Sequence, residues 1–129
     1  MISRIGPFQL ILVVILNLAD SIYMSVALFG LTINGNEDNT YIPVATEEVF
    51  NKTWLPAARE HHLQWINAFG AGHSYTREDI AGILDDLGRL SVIIEKVRGE
   101  EEVLLRIKTL HDFLKKLESE EEAVEFSIG

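Results

Sequence analysis

The chain has 129 residues, a length for one modest domain rather than two, and its 47% hydrophobic content supports a packed core and argues against wholesale disorder. Its formal charge is −9, and because residues 1–33 carry only Arg4 and Asp20, all of that charge belongs to residues 34–129. The absence of cysteine excludes disulfides, thiolate nucleophiles and Cys-ligated zinc, while the acidic balance disfavours phosphate backbones as partners and favours basic proteins.

The most apolar run is Pro7–Ala19, PFQLILVVILNLA. As a helix its length is roughly 20 Å, short of a hydrocarbon core of about 30 Å. A full span would have to continue through Asp20. Arg4, the Phe8–Ala19 core and a small-x-small site at Ser25-Val26-Ala27 also fit a secretory signal. A third reading makes residues 1–23 an upstream extension of a domain that begins at Met24, and a fourth buries them as a core helix. These readings stay open. Membrane contact through Phe8–Ala19, or export, follows if the segment is functional; a cytoplasmic protein follows if the working chain starts near Met24. The domain division is therefore 1–23 for the apolar segment and 24–129 for an acidic α+β domain.

Ser25–Ile33 favours a strand with Val26, Leu28 and Thr32 on one face and Phe29, Leu31 and Ile33 on the other. Asn34-Gly35 is a strong hairpin turn signal. Thr40–Val44 returns as a short strand that Pro43 confines to an edge or an end. Thr46 followed by Glu47 and Glu48 opens a helix, with Val49, Phe50, Thr53 and Trp54 as its stripe. Pro56 then imposes a kink or a new helix near Leu55, which continues through His62. Leu63–Asn67 alternates as a third short strand, and Gly70–Tyr75 reads as a loop.

Thr76 with Asp79 forms a capping box. Ile80, Ile83, Leu84, Leu87, Leu90, Ile94 and Val97 keep helical spacing up to Gly99, a C′ residue. Val103, Leu104, Ile107, Leu110, His111, Leu114 and Leu117 repeat the pattern, so the two segments form an αα-hairpin. Val124, Phe126 and Ile128 alternate as a half-buried strand able to pair with Ser25–Ile33. The fold class expected is α+β: a small antiparallel sheet packed with an αα-hairpin, preceded by the apolar segment.

Catalytic signals are thin. Glu60, His61, His62 and His73 are candidate metal ligands, but adjacent helical histidines point about 100° apart and no HExxH is present. G-x-S-x-G and the phosphate-loop motif are also absent. No cofactor is expected, and the chain does not read as an enzyme. A small His-dependent hydrolase or metal enzyme is the second alternative, after an exported or membrane-tethered domain. The first reading is a protein that acts by contact with, or inhibition of, a basic partner. This profile is similar to that of bacterial toxin-immunity proteins, with no motif that assigns a family. The partner-binding candidates are Trp54, Trp65, Glu78, Asp79, Asp85, Asp86, Glu100, Glu101 and Glu102. Their alternative roles are core packing for the tryptophans and a solvated face for the carboxylates.

Overall fold

The computed structural model describes residues 25–97 and 99–129. The apolar segment of residues 1–23, with its signal, anchor and extension readings, lies outside them. The described chain is α+β, with five antiparallel strands and a helical hairpin sharing one hydrophobic core.

The central strand β1 is Ser25–Ile33, whose residues are mostly aliphatic. Asn34 (φ 57°) and Gly35 (φ 82°) turn it into β2, Asn36–Glu37, as the paired positive φ angles of a tight hairpin require. β3, Ile42–Thr46, pairs with the first part of the same edge of β1. Pro43 is exposed on this outer strand, where its missing N–H breaks no ladder. The other edge of β1 pairs with β5, Val124–Ile128, and β5 in turn carries β4, His73–Thr76.

Strict alternation along β1 does not hold. Gly30 adopts φ +65°, and the register with β5 shifts by one residue between Phe29 and Thr32. This bulge resets the parity, so Leu28 and Leu31 both enter the core while Phe29 turns outward. The two-face assignment read from the sequence is therefore corrected by one inserted residue.

The first helix, α1, runs over residues 47–60. Thr46 Oγ1 caps it by accepting from Val49 N at 3.1 Å, and Glu47 and Glu48 fill its first turn. Its middle, Phe50–Trp54, is a π turn closed by Leu55 N donating to Phe50 O. The wider turn lies directly before Pro56, which has no N–H and would press its ring on the Lys52 carbonyl in a regular helix. The helix resumes as Leu55–Glu60 and stops there, before the two histidines.

Two segments differ in kind from their sequence reading. Leu63–Asn67 is not a strand: α2 spans Gln64–Phe69, because Leu63, Ile66 and Phe69 recur every third residue and all three are fully buried. The 70–75 segment is not wholly a loop. Gly72 takes φ +75°, and His73 onward becomes β4 because β5 offers it a hydrogen-bonding edge.

The hairpin consists of α3, Arg77–Ile94, and α4, Glu101–Glu118. Asp79 Oδ2 accepts from Thr76 N at 2.9 Å, closing the expected capping box. Ile80, Ile83, Leu87, Leu90 and Ile94 on α3 face Val103, Ile107, Leu110, Leu114 and Leu117 on α4 within the shared core. Val97 does not extend the stripe, since α3 ends at Ile94 and Val97 is exposed. Gly99, with φ +81°, serves the connection rather than a C′ position.

A candidate acidic contact face

The helices cover one face of the sheet. Val124, Phe126 and Ile128 of β5, Tyr75 of β4 and Leu28 of β1 point into the core, while the alternating positions point outward. Cross-strand register arranges those outward positions in rows. One row runs Glu37–Thr32–Glu125–Thr76 across β2, β1, β5 and β4. The next runs Phe29–Ser127–Ser74, in which Ser74 Oγ and Ser127 Oγ are 3.2 Å apart and Phe29 is 43% exposed.

The carboxylate row stands at the end of the sheet where other acids gather. Asn34 N donates to Ala123 O at 2.6 Å, which draws the hairpin tip against the 120–123 loop with Glu120, Glu121 and Glu122. Glu78 and Asp79 begin α3 directly after Thr76. Backbone hydrogen bonding, then the Thr76 hydroxyl at 2.9 Å, holds the Glu78 carboxyl below the usual range and keeps it ionised. Arg77 forms no ion pair with this cluster, although its charge also helps to lower the Glu78 carboxyl. Its Nη1 donates instead to the carbonyls of Glu120 and Glu122, the latter at 2.9 Å. Among the described residues, the lysine and arginine ion pairs lie elsewhere, on Lys52, Arg89, Arg106, Lys108 and Lys115.

The sequence candidates do not come together. Glu78 and Asp79 belong to this face. Glu100, Glu101 and Glu102 stand at the far end of the hairpin, an 18-residue helix or roughly 27 Å away. Asp85 is exposed on α3, 3.9 Å from Arg89. Asp86 is 4% exposed and acts inside the fold: Oδ2 accepts from Trp65 N at 2.8 Å and from Ile66 N at 3.4 Å, capping α2, whose own N-cap position is the apolar Leu63. Burial pushes the Asp86 carboxyl up, against the pull of those two N–H groups and of Arg89. Trp54 has no exposed surface, so its side chain is core. Trp65 is half-buried against Tyr75, ring centroids 6.0 Å apart.

The histidines are separated by local geometry. His61 ends α1, with its carbonyl accepting from Arg89 at 3.1 Å; His62 takes φ 57° in the turn; His73 stands on edge strand β4. Among the described residues, no three His, Cys, Asp or Glu side chains form a metal-binding group. Also among them, no helix is long and apolar enough to cross a membrane.

Glu37 and Glu125 escaped the sequence reading. The outward parity of Glu125 was visible between Val124 and Phe126, but its place across Thr32 from Glu37 depends on long-range register. Compared with protein-family models, curated proteins and solved structures, the chain matches none of them.

Proposed function

We propose that the protein acts stoichiometrically, by contact, on a basic protein partner, in the manner of a small acidic inhibitor. One observation carries this reading: Glu37 and Glu125 face outward on either side of Thr32, beside further carboxylates, without an ion-paired lysine or arginine among the described residues. Like charges gathered this way disfavour the isolated fold and are offset by an approaching cationic surface. Phe29, one row away, supplies apolar contact at the margin of the patch. The same field repels nucleic-acid phosphates.

Binding of a fluorescent oligolysine at low and high salt tests the reading. Wild type is expected to bind at low ionic strength, and Glu37→Lys with Glu125→Lys to weaken that binding without lowering thermal stability. Absence of low-salt binding, or indifference to the double reversal, overturns it.

A further inference from the structure

An apolar groove lies away from the acidic sheet face, where β3, the start of α1 and the start of α4 meet. Its cavity is about 310 Å³. That is the lower end of the roughly 300–1,000 Å³ usual for ligand pockets, and it suits one aromatic side chain better than a cofactor. Val44 and Trp54, both fully buried, lie at its floor, and Val103 walls it from α4. At the rim Tyr41 is 55% exposed and Val49 is 37% exposed, beside the polar side chains of Thr46, Glu102 and Arg106.

Charge surrounds this groove unevenly. Glu47 and Glu48 open α1 between the lining residues Thr46 and Val49. Glu100, Glu101 and Glu102 open α4 beside Val103. Two cations answer these five carboxylates: Lys52 pairs with Glu48 at 3.0 Å, and Arg106 pairs with Glu102 at 3.0 Å. Acids at helix N-termini complement the dipole in any protein. Here two such termini converge on one apolar groove, and Glu47, Glu100 and Glu101 keep no ion-pair partner among the described residues.

We infer that the groove is an anchor site for a basic segment of the partner, one that inserts an apolar or aromatic side chain flanked by lysine or arginine. This inference rests on the reading of the protein as a binder of basic partners and adds how a segment of that partner is held. Aromatic anchors in a pocket with a polar rim dominate most interfaces.

The test uses the full chain and two synthetic peptides of equal length, oligolysine and a lysine peptide with one central tryptophan. Wild type is expected to bind the tryptophan peptide at least ~10-fold more tightly than oligolysine. Tyr41→Ser with Val49→Ser, both at exposed positions, is expected to abolish that margin while leaving oligolysine affinity unchanged. Equal affinities in wild type, or a margin that survives the double substitution, overturn the inference and leave the acidic-contact reading intact. Failure of both peptides overturns both. Sedimentation showing a homodimer that the same double substitution dissociates gives the groove to a second copy. A wild type that shows no margin, with one of at least ~10-fold appearing only on the charge-neutral Val13→Ser, gives it to the chain's own upstream segment. Either result overturns the inference.

Discussion

Gly82 of α3 and Trp65 of α2 lie in direct apposition: a Cβ built at position 82 would fall 2.3 Å from Trp65 Nε1 and 2.6 Å from Cε2. The glycine sits in mid-helix, where alanine is ordinarily better by roughly 0.5–1 kcal/mol. Here the missing Cβ lets the indole lie on the helix backbone, with Tyr75 on another side of the ring. Gly88, two turns on, has nothing within 4 Å of its notional Cβ. Gly88→Ala should therefore stabilise the protein by about 0.5–1 kcal/mol in denaturant unfolding. Gly82→Ala should destabilise it and shift tryptophan emission. Equal responses at the two positions would contradict the packing.

Asp86 ties α3 to the first amides of α2. Asp86→Ala removes that cap and should lower stability by about 1–2 kcal/mol. Asp86→Asn keeps an acceptor oxygen and removes a desolvated charge, so it should retain most of the stability at neutral pH. The pH dependence has a definite sign. Burial raises the folded-state pKa above the ordinary 3.8, so the native state binds more protons than the unfolded chain between the two values. The contribution of Asp86 to stability therefore falls as pH rises through that window. Wild type should gain on Asp86→Asn as pH is lowered toward 4, measured by paired urea titrations. A gap that narrows on acidification would contradict the assignment.

Local signals were readable where chain neighbours decide the conformation. The Asn34-Gly35 turn, the Thr46 cap, the Thr76/Asp79 box and the two helical stripes each depend on residues within a few positions. The pairing of β5 with β1 followed from alternation, since both strands needed an apolar face covered. α2 was misread because its N-terminus is capped by Asp86 from another helix, which leaves no local start signal. β4 was missed because its four residues become a strand only through β5. The acidic face shares that difficulty: the register across four strands, rather than any motif, sets Glu37 and Glu125 on either side of Thr32 and Glu125 opposite Thr76.

Leu87 is fully buried at the centre of the α3 stripe, while Val97 lies beyond the helix and is 48% exposed. Leu87→Ala should cost 2–5 kcal/mol of unfolding free energy. Val97→Ala should change it by less than about 0.5 kcal/mol. A comparable loss at both positions would mean that Val97 is covered in solution, by a second copy or by another part of the chain.

Gly30 tests the bulge that turns Phe29 outward. Its φ of +65° is a left-handed conformation, yet the nearest atom to a notional Cβ is Ser127 Oγ at 3.9 Å, so space is not what demands glycine. The expected penalty is conformational. Gly30→Ala should cost about 1–2 kcal/mol, and Gly30→Asn less, because asparagine tolerates the left-handed region. Chemical denaturation of both variants supplies the comparison. If Asn and Ala are equally damaging, side-chain crowding on the outer face, rather than backbone conformation, fixes glycine at the bulge.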